Sequence, residues 1–139
     1  MKETNNETTP PGAVDVDLDK LGEYLRRDSR VVGATVFGSA RDGRVRPGSD
    51  LDLAVLFDEP LSGEEFLNFY SDLCDQVPGV EKVDLVRLNH ADPILAFEAI
   101  SGIFLCTNDV DKMAGYFSLV CREYEDVMGN LEHQRRMAA

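Results

Sequence analysis

Residues 50–57, DLDLAVLF, read as a strand with two acids at its head and none in its body. Alternate side chains of a strand share a face, so Asp50 and Asp52 point the same way, with Cα atoms roughly 6.5–7 Å apart. Leu51, Leu53, Val55 and Phe57 form an apolar row on the opposite face, which has to be buried against helices. Core and site are therefore expected on opposite faces of one strand. Two carboxylates this close repel each other unless a cation neutralises them. Hard oxygen ligands with open positions suit Mg²⁺, which dehydrates reluctantly and takes one or two carboxylates together with phosphate oxygens of a substrate.

An acidic pair at a strand edge is ordinary surface when it stands alone. Here Gly38-Ser39 ends the preceding β-rich run, Val31 to Phe37. Glycine lets a phosphate approach the backbone, and a serine hydroxyl with the N–H groups of a turn can donate to its oxygens. From background residue frequencies, G-S-x₁₀-D-x-D arises by chance in roughly one chain of this length in several hundred. The intervening SARDGRVRPGS lacks apolar periodicity and carries Gly43, Pro47 and Gly48, so it reads as a loop with room for one helical turn at its start. Arg41, Arg44 and Arg46 lie in that loop, and arginine forks match phosphate oxygens. Solvated loop arginines are the plain alternative. Asp84, in VEKVDLVRL, is an acid inside a third apolar strand, sharing a face with Val86 while Val83 and Leu85 take the other. It is a candidate third metal ligand and a base for an attacking hydroxyl, with a salt bridge to Lys82 or Arg87 as the structural alternative.

Leu18, Leu21, Tyr24 and Leu25 recur at helical spacing behind the capping candidates Asp15 and Asp17, which predicts a helix to about Arg27. Ser62 and Glu65 form a capping box for a helix through Phe66, Leu67, Phe69, Tyr70 and Leu73 that stops near Val77. Asp92-Pro93 opens a third helix whose buried stripe is expected to be Ile94, Leu95, Phe97 and Ile100, Gly102 ends it, and Ile103 to Cys106 is a short fourth strand. Asn108 or Asp109 caps a long last helix with Met113, Tyr116, Phe117, Val120, Tyr124 and Val127 on its apolar face. The element order is αββαβαβα, an α+β domain in which a small mixed sheet is covered by helices. Residues 1–13, with Pro10-Pro11-Gly12, read as a disordered leader, 14–128 as the domain and 129–139 as a tail.

A chain of 139 residues supports one core. No apolar run approaches the ~20 residues that cross a bilayer. The polar, acidic start has no secretory or organellar signal, which predicts a cytoplasmic address. Cys74, Cys106 and Cys121 are far apart in apolar surroundings and are expected as reduced core thiols; neither they nor His90 and His133 have zinc-site spacing. The net charge of −12, from 26 acidic against 14 basic residues, disfavours direct binding of DNA or anionic lipid. A metal, a small nucleotide or a basic protein surface fits better.

The segment VFGSARDGRVRPGSDLDLAVLF, followed by VDLVRLN, resembles the minimal nucleotidyltransferase (MNT) family of the DNA polymerase β-like superfamily, over about residues 15–128. Gly38, Ser39, Asp50 and Asp52 match its Gly-Ser and paired-aspartate motif, Asp84 its third carboxylate, and Gly43, Arg46, Pro47 and Ser49 its loop. Ala40 and Asp42 depart from it, where many members carry a basic residue. The resemblance implies a small mixed sheet with helices on one side. It also implies transfer of a nucleoside monophosphate from a nucleoside triphosphate to a hydroxyl, with release of pyrophosphate. For this chain it implies Mg²⁺ on Asp50, Asp52 and Asp84, and ATP near Gly38, Ser39, Arg41, Arg46 and Ser49. Many stand-alone MNT proteins are prokaryotic antitoxins paired with a HEPN-domain ribonuclease toxin, and some AMPylate that toxin on a tyrosine. The alternatives are an antitoxin that acts by binding alone and a small-molecule, aminoglycoside-type nucleotidyltransferase. The latter usually carries a further domain for the acceptor, and residues 88–139 are too few to make one.

Overall fold

The computed structural model describes residues 12–138, so the expected leader lies outside the described residues apart from Gly12 and Ala13. In chain order the elements are β1 (Val14–Asp15), α1 (Leu18–Arg26), β2 (Val31–Phe37), β3 (Arg44–Val45), β4 (Leu51–Phe57), α2 (Gly63–Asp75), β5 (Val83–Arg87), α3 (Pro93–Ile100), β6 (Ile103–Thr107) and α4 (Val110–Ala138). Short 3-10 turns follow β2 at Gly38–Ala40 and β5 at Leu88–His90.

The helices start where the sequence supplies an acceptor for their leading N–H groups. Asp17, not Asp15, accepts from the Lys20 N–H at 3.0 Å. Ser62 and Glu65 make the reciprocal capping box. Asp92 Oδ1 accepts from the N–H groups of both Ile94 and Leu95 ahead of the proline that opens α3. Asp109 accepts from Lys112 N–H. The neighbouring Asn108 instead donates to the carbonyls of Arg26 and Val31, tying the start of α4 to the loop after α1.

The main sheet has the order β5-β4-β2-β6, with β4 and β6 antiparallel to β2 and β5 parallel to β4. A parallel neighbour requires a crossover, and α2 provides it. The sheet is mixed, as expected. Two elements were not foreseen: β1 pairs antiparallel with β3, Val14 opposite Val45 and Asp15 opposite Arg44, which straps the start of the domain onto the loop between β2 and β4. Two-residue strands carry too little periodicity to be read from sequence.

Helices cover both faces of the sheet, not one. Leu51, Leu53, Val55 and Phe57 pack with Leu21 and Leu25 of α1 and Phe69 and Leu73 of α2. Ala54 and Leu56, on the same face as Asp52, pack beneath Ala96, Ala99 and Ile100 of α3 and Met113 and Val120 of α4. The face that carries the acids is therefore also core, except at the head of β4. Ile94 and Phe117, expected on the buried faces of α3 and α4, are instead exposed, because each lies at the rim of its helix's packed stripe. The fully buried Thr35 hydroxyl donates to the Ala99 carbonyl at 2.8 Å and ties α3 to β2. Of the three cysteines only Cys106 is buried; Cys74 and Cys121 are half-buried, and all three are free thiols. Burial pushes the Cys106 thiol above its ordinary value.

The last helix passes the expected boundary at 128 and continues through Gly129 to Ala138. One glycine costs a helix only about 1 kcal/mol. Beyond it Glu132 pairs with Arg135 and Arg136 at helical spacing. No helix among the described residues is long and apolar enough to cross a membrane.

The contact between α1 and the sheet edge is tight: a Cβ built on Gly22 would stand 2.3 Å from the Leu105 carbonyl oxygen of β6. Helix propensity favours alanine over glycine by ~1 kcal/mol, yet forcing α1 off β6 costs ~1–3 kcal/mol. Gly22→Ala is accordingly expected to lower stability in a urea melt. A variant as stable as the parent would show that α1 has room to move.

Candidate active site

Backbone register brings the three acids together. Asp52 lies in β4 between Phe37 of β2 and Asp84 of β5, directly opposite each in the ladder. With Asp50 two residues earlier, carboxylate oxygens of Asp50, Asp52 and Asp84 all fall within 4.8 Å of one another. Asp50 and Asp52 are half-buried and Asp84 is exposed. The start of β5 is pinned by the Tyr70 hydroxyl of α2, which donates to the Val83 carbonyl at 2.9 Å, one residue before Asp84.

Little positive charge offsets this cluster. Lys82 Nζ lies 3.7 Å from Asp50 Oδ2, so Lys82 faces Asp50 and not Asp84. Arg87, the other proposed partner of Asp84, instead places its guanidinium 4.1 Å from the Phe66 ring centroid and donates to the Leu61 carbonyl. Burial raises the Asp52 carboxyl above its ordinary value, and the charges of Asp84, Asp50 and Glu98 add to the rise against the weaker pull of Lys82. Three hard oxygen ligands with uncompensated charge form the donor set of a divalent-cation site.

Gly38 is held at φ +73° beside Asp52, and a Cβ there would stand 2.2 Å from Asp52 Oδ2. The glycine is thus required by the carboxylate as well as by any phosphate that approaches the backbone. Gly38–Ala40 forms a 3-10 turn with no side-chain cap, and Ser39 stands exposed on it.

The loop arginines separate into different roles. Arg46 donates to the carbonyls of Ser39 at 3.0 Å and Arg44 at 2.9 Å, and to Asp42 Oδ2 at 2.9 Å, so its guanidinium is turned onto its own loop. Asp42 also accepts from the Arg44 N–H. The Arg46 guanidinium and this N–H hold the Asp42 carboxyl down at about 2. Arg44 pairs with Asp15 across the small ladder. Arg41 is exposed at the mouth of a cleft that also contains Gly38 and Glu98. Ser49, next to Asp50, lines a separate depression with Pro47, Gly48 and Glu81. The structure therefore brings Gly38, Asp50, Asp52 and Asp84 together, with Ser39 and Arg41 alongside, and leaves Arg46 and Ser49 in the supporting loop. Sequence reasoning did not select Glu98; its only signal is that it is the one acid in the apolar helix PILAFEAI.

The Gly-Ser turn and the three carboxylates meet at one end of the helix-covered mixed sheet, a candidate site for a divalent cation and a phosphate group. The polymerase beta nucleotidyltransferase family matches residues 19–111, and the chain belongs to that family. No curated protein matches the chain in sequence. Among solved structures, it is similar to a toxin–antitoxin MntA-HpeT mutant, with a TM-score of 0.69 and 21% identity over 89% of this chain and 98% of that chain. A toxin–antitoxin with AMP-PNP gives a TM-score of 0.68 and 20% identity, covering 86% and 97% of the respective chains. The tri-AMPylated Shewanella oneidensis HEPN toxin in complex with MNT antitoxin gives 0.64 and 18%, covering 87% and 94%. At these identities the likeness is one of fold.

Gly38→Ala is expected to cost ~1–2 kcal/mol for the left-handed backbone alone and to displace Asp52. Nucleotidyl transfer should fall by about a hundredfold, the usual effect of a ~1 Å misplacement in a site; retained activity would remove the turn from the site. A second expectation concerns pH. Because Asp52 is raised in the folded chain, the fold binds its proton more tightly than the unfolded chain does, and stability declines as pH rises through the raised value. With divalent cations chelated, Asp52→Asn should therefore melt higher than the parent at pH 7, and the gap should close as pH falls towards the ordinary carboxyl value of 3.8. An equal or lower melting temperature at pH 7 would contradict the repulsion.

Proposed function

We propose that the chain is a Mg²⁺-dependent adenylyltransferase that moves AMP from ATP to a hydroxyl, a tyrosine's, on a partner HEPN toxin, and that it acts in the cytoplasm as the antitoxin of that pair. The observation that carries this reading is the meeting of Asp50, Asp52 and Asp84 with the Gly38 turn at one end of the sheet. Family membership supports nucleotidyl transfer. The fold likeness to a toxin–antitoxin with AMP-PNP and to a tri-AMPylated HEPN toxin bound to its MNT antitoxin supports the donor and the acceptor.

Asp50, Asp52 and Asp84 would hold the metal, and its exposed neighbour Lys82 is cheaply displaced. When bound, Mg²⁺ neutralises these carboxylates and withdraws charge from a phosphate oxygen. The chain's own groups do the rest. Gly38 leaves the approach to the backbone open, and the Ser39 hydroxyl donates to a phosphate oxygen. Arg41 adds positive charge at the same turn. Arg46 acts at one remove, fixing the turn through the Ser39 carbonyl, while Ser49, the residue before Asp50, donates its N–H to the Arg46 carbonyl and shapes the loop. Asp84, the exposed acid of the three, takes the proton of the attacking hydroxyl. The new P–O bond forms to that oxygen as pyrophosphate leaves, and fixed electrostatics contribute most of the rate.

Asp50→Asn combined with Asp52→Asn is expected to cut transfer of α-phosphate label from ATP to the toxin by at least about a hundredfold, ~3 kcal/mol of barrier. Undiminished labelling would rule the mechanism out. Lost labelling with toxin neutralisation intact would make the chain an antitoxin by binding alone.

A further inference from the structure

Beside the Gly38–Ala40 turn a cleft of about 550 Å³ opens between the sheet end, α3 and α4, lined among others by Phe37, Gly38, Arg41, Phe97, Glu98 and Tyr124. Its volume lies within the ~300–1,000 Å³ of small-molecule sites. Gly38 is shared between this cleft and the carboxylate site, since its Cα abuts Asp52. One wall is aromatic: Phe97 of α3 and Tyr124 of α4 stack with centroids 3.9 Å apart and planes at 12°. Apolar walls with a few convergent polar groups suit a planar heterocycle.

Glu98 is the polar feature that packing does not account for. It is exposed, and among the described residues it makes no hydrogen bond or ion pair. Its charge also works against the fold by adding to the repulsion on Asp52. Arg41, at the same cleft, is likewise without a partner among the described residues, whereas Arg44 and Arg46 are engaged in the loop. An acid and a base, both uncommitted and both facing a cleft next to the Gly-Ser turn, fit two ends of one nucleotide.

We propose, on the reading of the preceding subsection, that this cleft receives the nucleobase of the donor and that Glu98 selects bases bearing an exocyclic amino group over uracil. The Glu98 carboxylate accepts only, so it pairs with the amino N–H of adenine or cytosine. Uracil offers a carbonyl oxygen where cytosine has its amine, and two acceptors then face each other. Arg41 meets the phosphate end, where its guanidinium complements the anionic oxygens.

Isothermal titration of the full chain with ATP, CTP and UTP in Mg²⁺, with no acceptor protein present, tests this. The parent chain should bind ATP and CTP at least about tenfold more tightly than UTP, the value of one hydrogen bond to a charged acceptor. Glu98→Gln presents an N–H donor to the uracil oxygen and should bring the ratios within about threefold. Glu98→Ala should also level them. Glu98 bears on Asp52, so either variant can shift all affinities together, and the ratio between bases is the readout. A parent chain that binds the three nucleotides equally, or a ratio unchanged in Glu98→Gln, overturns the proposal and leaves the nucleotidyltransferase reading standing. An unchanged ratio with lost label transfer to the toxin would assign the cleft to the acceptor side chain. A parent chain that binds none of the three overturns both.

Discussion

Three carboxylates with oxygens inside 4.8 Å repel one another, and the protein holds them together by backbone register instead of by counter-charge. Neighbouring strands lie about 4.8 Å apart, so pairing Asp52 with Asp84 on β5 sets their separation before any side chain moves. Much of the remaining architecture serves that pairing. Because β5 runs parallel to β4, α2 must cross over between them. Tyr70 of that same helix fastens the residue before Asp84. The rows of Leu51, Leu53, Val55 and Phe57 below, and of Ala54 and Leu56 above, bury the strand on both sides and make slippage by one residue prohibitive, since a slip would send each apolar side chain to the wrong face.

The loop between β2 and β4 solves a second problem, which is to hold an uncapped turn at the edge of an acidic site. Its departures from the family at position 42 become intelligible in these terms. An acid stands at Asp42 because it accepts from Arg46, whose other N–H groups hold the Ser39 and Arg44 carbonyls. The small β1–β3 ladder and the Arg44–Asp15 pair anchor the same loop from the other end of the domain. Positive charge in the loop is thereby divided, two arginines shaping the turn and Arg41 left facing the cleft.

That division also bears on selectivity in an acidic protein. A chain of net charge −12 repels polyanions at long range, so a triphosphate must be drawn in by local charge and donors. In the proposed function the Gly38 turn, Ser39 and Arg41 supply these on one side of Asp52, and Asp84 stands on the other, which would separate the donor's approach from the acceptor's.

The acids, the Gly-Ser turn and nearly every helix start were legible in the chain, because strand alternation, helical periodicity and capping depend on residues within a few positions of one another. DLDLAVLF could be read as a strand with an acidic head, and Ser62 with Glu65 as a helix start, without reference to anything distant. The tertiary structure alone decided which charges meet. Lys82 faces Asp50 and Arg87 lies over Phe66, although either could have paired with Asp84 by sequence distance. Glu98 comes near Asp52 from helix α3, and Gly38 proves to be shaped by a carboxylate fourteen positions away, as well as by the turn it opens. Flexible charged side chains have several partners within reach along the chain, and only the packed register of β2, β4, β5 and α3 reduces those options to one.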